Sequence, residues 1–536
     1  MNIRKKFRER KWEWITIFVI VAIGIFLRTY NFHTWLHFGS DQARDAVLVE
    51  KVLNNTASWP LLGADASNTH FKLGPIYYYF QIISGEIFGS DVAILAYPDL
   101  FFSILAIPLF YFLLRKYFEK NLSLALTGLY AISFYTIEYS RFAWNPNPIP
   151  FFVMLYLYAM LKFLEHREKT HSVWIVLLGI SLGVGIQLHT LLLLLLPVLS
   201  SLIFLFLLKK NWRMFGKIAI IVFVALAFNF GQIKSEWETG GANAQRFLVA
   251  STDRSQSGVN RFIQNLQADS LSHSEANIHI LSSLGDTGNF IFLKLLKYPE
   301  KTKNHLLYVV YVIGIAVSIL FSVVGYGLLL VRIRKETILR RKYFLVLILF
   351  YSLLSFCILF SVARDAPLRY FIHTTFIPFI LLGLWIDWLR EKLAHKFFIP
   401  TVIFLFAFLF LANAHTLIAQ AHNLSTGTQG DSGFVVLGEA ERIVDYMIEK
   451  SFPEKEAIFF GGAQYASTYY KSLKYLAERK DFKLMYIERK TIPTSERHYF
   501  FMTKALEAGD SFETSHYVLI ESVNFGRMSL HQLKKQ

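Results

Sequence analysis

Eleven apolar runs recur along this 536-residue chain, and each is long enough to cross a lipid bilayer as a helix. The first run follows a basic start, as in a signal peptide. No small-residue cleavage pattern separates it from the next polar segment, and ten more runs follow, which favours a retained helix. The sequence therefore predicts an α-helical polytopic membrane protein of about eleven spans. We place them at 14–30, 91–114, 121–139, 149–164, 172–188, 190–208, 214–232, 305–331, 343–362, 368–389 and 397–415.

Lys and Arg are concentrated in alternate connections between these runs. One set of six segments carries 25 basic and 7 acidic residues, whereas the short loops of the other set carry only Arg141, Arg364 and Arg369. Because basic loops stay in the cytoplasm, we expect a cytoplasmic N-terminus and an external C-terminus. The six segments also explain the net charge of +16, so no nucleic-acid partner is expected. They are residues 1–13, 115–120, 162–171, 209–217, 332–342 and 390–396.

Three longer segments, 31–90, 233–304 and 417–536, fall on the expected external side. The third alternates helical patterns at 438–451 and around 464–479 with short apolar runs, among them "AIFFGG", "FKLMYIE", "RHYFFMT" and "HYVLIES". This alternation predicts an α/β domain, and its 15 basic and 15 acidic residues indicate a neutral, soluble unit. We therefore divide the chain into a membrane module, 1–416, and a small external domain, 417–536.

The chain has one cysteine, Cys357, and it falls inside a predicted span. A disulfide framework and a cysteine-based zinc site are therefore excluded within one chain. An external domain without disulfides is compatible with the cell (plasma) membrane of a prokaryote, where we expect this protein.

A dense charge cluster, "FGSDQARDAVLVEKVL" (38–53), follows the first span. Ser40 is a good N-cap for a helix that would carry Asp41 in its first turn and Asp45 one turn later on the same face. The small apolar residues of this helix would let it lie flat at the membrane interface. Favourable interaction with the helix dipole explains Asp41 but not Asp45, so a functional role is favoured for the pair.

The next polar motif is "HFKLGPIYYYF" (70–80), in which His70 and Lys72 precede a Gly-Pro turn and three tyrosines. A turn followed by a helix start can present backbone N–H groups and Lys72 to a phosphate. Tyrosines at a membrane boundary commonly form an aromatic belt, which we expect for at least two of these three.

Further ionisable residues fall at the expected external ends of later spans. Ionisable groups near membrane depth are costly and tend to be functional, although a lone histidine such as His189 more often has a structural role. Arg369 is the best candidate for binding a phosphate, since a guanidinium binds phosphate oxygens in a bidentate manner. With Arg141 and Arg364, these residues would add cations to the same face that holds the carboxylates.

Taken in order, these motifs resemble the membrane glycosyltransferases of family 39, the protein O-mannosyltransferase and aminoarabinose-transferase group of the GT-C superfamily. "DQARDA" stands where bacterial members often have DEARYA, and "LGPIYYYF" stands where they have KPPLYYW-like residues. "SRFAW" supplies the Ser-Arg dipeptide, and "RYFIHTTFIPF" supplies Arg-Tyr followed by a proline. The resemblance covers roughly 14–415. Three positions depart from it: Gln42 replaces a second acid, Lys72 lies one position upstream of the expected lysine, and Asn145 replaces a frequent aspartate.

The resemblance implies a GT-C-like bundle with external juxtamembrane helices. It also implies an inverting transfer of a sugar from a polyprenyl-phosphate donor, embedded among membrane lipids, to a lipid, protein or cell-envelope acceptor. Catalysis would fall to Asp41 and Asp45. The remaining candidates are Arg369, Arg141, Lys72, Arg364 and His189 for the donor phosphate, and Tyr77, Tyr78 and His70 for the sugar or acceptor.

Several alternatives stay open at this stage. No cofactor is certain, and a divalent cation is one alternative. A flippase or transporter of lipid-linked sugars would bind the same headgroup without breaking a bond, although the chain lacks two matched halves with broken helices. A glycan polymerase or ligase with a diphosphate-linked donor would use a similar fold.

Overall fold

The structure is a computed structural model, and it describes residues 3–66, 69–89, 91–252, 259–284, 290, 305–364, 366–427, 434–461, 465–487, 498–504, 517–526 and 528–535. Apart from short 3-10 turns, its helices are α1 (Ile3–Thr29), α2 (Ser40–Leu53), α3 (Ile76–Phe88), α4 (Tyr97–Leu114), α5 (Lys120–Ile132), α6 (Phe134–Glu138), α7 (Ile149–His166), α8 (Ser172–Leu188), α9 (Thr190–Lys210), α10 (Phe215–Phe228), α11 (Phe230–Glu238), α12 (Ala242–Thr252), α13 (Val259–Ser282), α14 (His305–Lys335), α15 (Leu339–Leu359), α16 (Ile377–Lys392), α17 (His395–Thr426), α18 (Leu437–Ser451) and α19 (Tyr465–Glu478).

Apolar runs become helices here because a bilayer offers no partner for backbone N–H and C=O groups. In the described part of the chain, seven helices are long and apolar enough to cross a membrane, and two bent helix pairs raise the number to nine. The two other predicted spans, 121–139 and 172–188, coincide with the shorter helices α5, α6 and α8. The multi-span membrane architecture is confirmed, and the count of eleven stays a prediction.

Burial separates the inner helices of the bundle from the outer ones. Tyr156 and Met160 of α7 are fully buried, whereas Phe18 of α1 and Phe404 of α17 are each 73% exposed. Large apolar side chains exposed on outer helices form a surface that suits lipid rather than water.

The C-terminal domain contains a five-stranded mixed sheet in the order β2-β1-β3-β5-β4. The first three strands are parallel, and β5 pairs antiparallel with both β3 and β4. The expected α/β class is confirmed, with α18 and α19 packed on the sheet, but sequence analysis missed β5. The strands are β1 (Glu456–Gly461), β2 (Lys483–Tyr486), β3 (Tyr499–Lys504), β4 (Tyr517–Phe525) and β5 (Met528–Lys535). The boundary at 416/417 stays a prediction, because α17 continues to Thr426.

The C-terminal domain packs directly on the segment that leaves the first helix. The Phe38 N–H donates to Val435 O and the Leu437 N–H donates to Leu36 O, both at 2.8 Å. Beyond this junction, Ala43 of α2 belongs to the same apolar core as residues of α19. The expectation that the small apolar face of α2 contacts lipid is therefore wrong, because this face packs against protein.

Candidate active site

One end of the helix bundle carries α2, the hairpin formed by residues 61–66 and 69–74, the loop of residues 139–147, the turn at His189 and the segments 360–364 and 366–376. We call this end the loop face, and we call residues 139–147 the connecting loop. The loop face gathers the ionisable residues that the sequence singled out, and hydrogen bonds join its parts across long sequence separations.

Two carboxylates of α2 are bridged by one guanidinium. Arg44 lies 3.0 Å from Asp41 and 2.8 Å from Asp45. The Asp45 carboxylate also accepts a hydrogen bond of 3.0 Å from the Tyr78 hydroxyl. The side chain of Asp41 is 63% exposed, whereas that of Asp45 is 7% exposed. Asp41 is therefore the carboxylate open to a ligand, and Asp45 is its buried neighbour. We call Asp41, Arg44, Asp45 and Tyr78 the acidic half of the site.

The start of α2 differs by one residue from the prediction. Gly39, not Ser40, is the N-cap, and its N–H donates to the Gln42 side chain at 3.0 Å. Gln42 in turn donates to Ala143 O at 2.7 Å. The glutamine that replaces an acid of the family motif thus ties the start of α2 to the connecting loop.

Burial dominates the ionisation of Asp45. It raises the pKa of Asp45 to about 6, although the Arg44 guanidinium and the Tyr78 hydroxyl both act to lower it. Burial lowers the pKa of Arg44, but its two carboxylate partners outweigh burial and raise it above its ordinary value. Arg44 therefore stays charged, and Asp45 gains or loses its proton in a mildly acidic range.

This shift predicts a pH-dependent stability. Since the folded state holds the Asp45 proton more tightly than the unfolded state, the free energy of unfolding falls as the pH rises from about 4 to about 6. The contribution amounts to roughly 3 kcal/mol at most, at about 1.4 kcal/mol per pKa unit. Melting temperatures of the wild type and Asp45→Asn, measured from pH 4 to pH 7, should differ in slope across this range. Parallel curves would contradict the assignment.

The three consecutive tyrosines of α3 are held by protein groups. Tyr77 donates to Asp99 at 2.8 Å, Tyr78 donates to Asp45, and Tyr79 donates to Pro60 O at 2.8 Å. The expected aromatic belt is therefore wrong for these residues, because all three hydroxyls face protein rather than lipid headgroups. Asp99, which is fully buried, was missed in the sequence because it lies inside an apolar run.

A second group of predicted residues, Arg369 and His189, lies at the segment that contains Tyr370. Arg369 is exposed, and within the described residues its guanidinium has no hydrogen-bond or ion-pair partner. Its charge acts on His189, whose ring contacts the Tyr370 ring edge to face at 5.5 Å. We call His189, Arg369 and Tyr370 the cationic half of the site.

His189 is a neutral donor rather than a cation. Burial first, and then the charge of Arg369, lower the pKa of His189 to about 4. Its Nδ1 accepts the Leu191 N–H at 3.1 Å and caps α9, which leaves the proton on Nε2. Arg369 therefore supplies the positive charge, and His189 can add a neutral N–H.

The connecting loop touches both halves. Ala143 accepts from Gln42 beside Asp41, as described above. The Trp144 ring lies 5.9 Å from the Tyr139 ring, and the charge of Arg369 acts on Tyr139. Asn145 donates to Leu188 O, next to His189, at 2.8 Å. The acidic half and the cationic half thus each border the connecting loop.

Lys72 and His70 lie on the hairpin and line cavities there. Lys72 lines a cavity of about 410 Å³ together with Arg44 and Tyr78. On its other side, Lys72 lines a second cavity, of about 660 Å³, with His70 and Arg246. Asn243 of α12 binds the backbone N–H and C=O of Lys72, at 2.7 and 3.0 Å, and so fixes the hairpin between the two cavities.

Two of the predicted phosphate ligands have other partners. Arg141 donates to Leu27 O, Arg28 O and Tyr30 O at the end of α1, at 3.2, 2.9 and 2.7 Å. Arg364 donates to Gln264 of α13 at 3.1 Å. Neither contact joins the acidic half to the cationic half.

The residues that the structure describes contain no group of three or more His, Cys, Asp or Glu side chains that could hold a metal ion. Asp41 and Asp45 are instead bridged by Arg44, so two of their oxygens accept from a guanidinium.

The bundle, the loop face and the C-terminal mixed sheet together define a polytopic membrane protein. Residues 72–230 match the family model for dolichyl-phosphate-mannose-protein mannosyltransferases. No curated protein sequence matches the chain significantly. The resemblance proposed from the sequence is thus confirmed for the stretch that holds α3 to α10.

Solved structures extend the likeness to the whole fold. ArnT from Cupriavidus metallidurans in the apo state shares 13% identity over 98% of both chains, with a TM-score of 0.53. The same protein bound to undecaprenyl phosphate shares 13% identity, with a TM-score of 0.51, over 97% of this chain and 98% of that chain. The Archaeoglobus fulgidus oligosaccharyltransferase, in complex with Zn and sulfate, shares 15% identity over 88% of this chain and 62% of that chain, with a TM-score of 0.48. The two ArnT structures show that this chain has the ArnT fold.

Proposed function

We propose that this protein is a membrane glycosyltransferase that moves a sugar from a polyprenyl-phosphate donor to an acceptor, with inversion, on the external side of a prokaryotic cell membrane. The match to mannosyltransferases and the ArnT fold, which has been solved with undecaprenyl phosphate, support the donor class. The distribution of basic residues supports the sidedness.

The observation that carries the proposal is the unpaired guanidinium of Arg369 within the described part of the loop face. An exposed arginine without a protein partner, at the membrane boundary, is suited to bind the phosphate of a lipid. The ring of His189 contacts Tyr370, the residue next to Arg369, so His189 is proposed to add an Nε2–H donor. Negative charge that develops on the phosphate as the sugar departs would be stabilised there.

The acidic half supplies the base that the reaction also requires. The acceptor oxygen or nitrogen forms a bond to the anomeric carbon from the face opposite the phosphate, the carbon–oxygen bond to the phosphate breaks, and its electron pair stays on the phosphate. The acceptor proton goes to Asp41, which is exposed and oriented by Arg44. Asp45 and Tyr78 hold Arg44 in place from the buried side.

The surrounding cavities are proposed for the acceptor. Tyr78 and Lys72 line the cavity next to Arg44, and His70 lines the cavity beyond it. Lys72 is therefore better placed to contact the acceptor than the donor phosphate. In this arrangement the donor lies at Arg369 and the acceptor enters from the hairpin.

The proposal is tested with a radiolabelled polyprenyl-phosphate sugar and the full-length protein in lipid vesicles that contain extracted cell-envelope acceptors. We expect release of free polyprenyl phosphate together with label in the acceptor fraction. Movement of intact donor across the bilayer without cleavage would instead identify a flippase. Cleavage of a diphosphate-linked donor, with the monophosphate donor inert, would identify a polymerase or ligase.

A further inference from the structure

We propose that His373 is a positioning residue of the candidate active site, whose buried ring fixes the backbone beside Arg369 so that the guanidinium is held in one position toward the donor phosphate. The inference rests on the proposed glycosyl transfer, because it assigns a residue that acts through the proposed phosphate ligand of that reaction.

The segment that carries Arg369 is buried almost throughout. Within the 3-10 helix Leu368–Thr374, Arg369 is exposed and Tyr370 is half-buried, whereas the five other residues are buried. This helix is bent by 63° from α16, so the segment does not continue a regular helix. Because a membrane provides no water for backbone carbonyls, side chains are a necessary source of donors at such a bend. The segment therefore presents one exposed guanidinium from a backbone that side chains hold.

Side chains donate to the carbonyls on both sides of Arg369. The Tyr135 hydroxyl donates to Leu368 O at 3.1 Å. Nδ1 of His373 lies 2.7 Å from Tyr370 O. Each residue that flanks Arg369 thus has its carbonyl bonded to a buried side chain. Since a guanidinium binds two phosphate oxygens only in a defined orientation, the placement of this backbone determines how Arg369 can bind.

The hydrogen bonds of His373 define its tautomer. Because Tyr370 O can only accept, the ring proton lies on Nδ1. Nε2 of the neutral ring then accepts from the Ser355 hydroxyl at 2.7 Å. Both ring nitrogens are used in this way, and the ring links α15 to the turn that contains Arg369.

Helix α15 holds His373 at two points. Ser355 bonds the ring, and the Tyr351 hydroxyl donates to the carbonyl oxygen of His373 at 2.9 Å. Tyr351 and Ser355 are four residues apart and therefore lie on one face of α15. Without the Nδ1 donor, the turn at Arg369 would lose its connection to this helix. Because a misplacement of about 1 Å can reduce a rate on the order of 100-fold, such a loss should slow the transfer step.

The first experiment compares His373→Gln with His373→Asn in the labelled-donor assay. The side-chain nitrogen of Asn occupies the place of Nδ1, whereas that of Gln occupies the place of Nε2. We expect His373→Gln to lower kcat and donor affinity together by about tenfold or more, and His373→Asn to restore most of this loss. Equal losses in the two variants, or losses that merely follow their melting temperatures, would overturn the proposal.

The second experiment keeps His373 and removes one of its supports. Tyr351→Phe deletes the hydrogen bond to the His373 carbonyl, whereas Tyr111→Phe deletes a hydrogen bond to Glu13 at the opposite end of the bundle. Both tyrosines are buried. We expect Tyr351→Phe to lower kcat by about fivefold or more and Tyr111→Phe to stay within about twofold. Equal kcat values for the two variants would contradict the proposal even if the His373 variants do not fold.

A double variant tests whether His373 acts through Arg369. Residues that act through one contact are not additive, so R369Q/H373Q should transfer sugar no more slowly than R369Q alone. A further loss as large as that of H373Q alone would show that the two residues act independently.

A final measurement does not depend on turnover. Binding of a short-chain prenyl phosphate to the full-length protein in detergent is followed by calorimetry. We expect Arg369→Gln and His373→Gln each to weaken binding by about tenfold, and Tyr111→Phe to leave it unchanged. Unchanged binding in His373→Gln, or no binding by the wild type, would refute the link. If the wild type binds this phosphate but transfers no sugar, the proposed function fails, while the binding data still decide whether His373 positions Arg369.

Discussion

Replacing Arg369 with Gln should reduce sugar transfer by roughly 100- to 1,000-fold, the size of effect seen when one donor to a developing anion is removed. Gln keeps a hydrogen-bonding amide but removes the positive charge and the second N–H of a bidentate contact. The loss should fall on kcat and on donor affinity together, because the phosphate is bound in the ground state and gains charge as the sugar leaves. The assay is release of labelled polyprenyl phosphate at saturating acceptor.

The matched control for this variant is Arg442→Gln, which removes an exposed guanidinium from α18 of the C-terminal domain. It changes the net charge of the protein by the same amount but lies outside the site, so its turnover should stay within about twofold, as for surface substitutions. Equal losses in the two variants would show that general charge, and not a specific contact, explains the effect. Near wild-type turnover in Arg369→Gln would remove Arg369 from the site.

Asp41→Asn should reduce turnover by roughly 100- to 10,000-fold, the usual range for loss of a general base. Asn has the same shape and can still accept from Arg44, so the start of α2 should be preserved. Donor affinity should be unchanged, because Asp41 contacts the acceptor and not the phosphate in our proposal. The measurement is single-turnover transfer, with donor binding determined separately.

Glu50→Gln is the matched control for Asp41, since it neutralises another carboxylate of α2, at the end that faces Tyr475 of the C-terminal domain. It should transfer sugar at close to the wild-type rate. If Asp41→Asn remains active while Asp45→Asn is inactive, the base is the buried carboxylate, and the roles of the two acids in our proposal are reversed.

The membrane architecture could be predicted because the bilayer imposes a simple rule on sequence. Each predicted span coincides with a helix or with a broken helix pair, and the order of motifs was enough to indicate the family. The α/β domain was also predictable from alternating patterns. Strand β5 was not, because its segment "MSLHQLKK" mixes apolar and basic residues, and only pairing with β3 and β4 buries Met528, Leu530 and Leu533.

The site was predicted only in part, and the reason is that long-range partners are invisible in a single sequence. The residues around Asp99 in the sequence do not distinguish it from an ordinary acidic residue in the first turn of a helix. In the structure, however, its carboxylate accepts a hydrogen bond from the Tyr77 hydroxyl. The same limit applies to α2, whose small apolar face is compatible with lipid or with protein. A charged residue such as Arg369 can remain available to bind a ligand. Whether it does depends on contacts with residues far away in the sequence.

The most direct test of our account is an experimentally determined structure of the full-length protein in lipid nanodiscs with a polyprenyl-phosphate sugar bound. We predict phosphate density within hydrogen-bonding distance of the Arg369 guanidinium, with the sugar between it and Asp41. A phosphate bound at Arg141 or Arg364 instead, with the sugar remote from Asp41, would contradict the account.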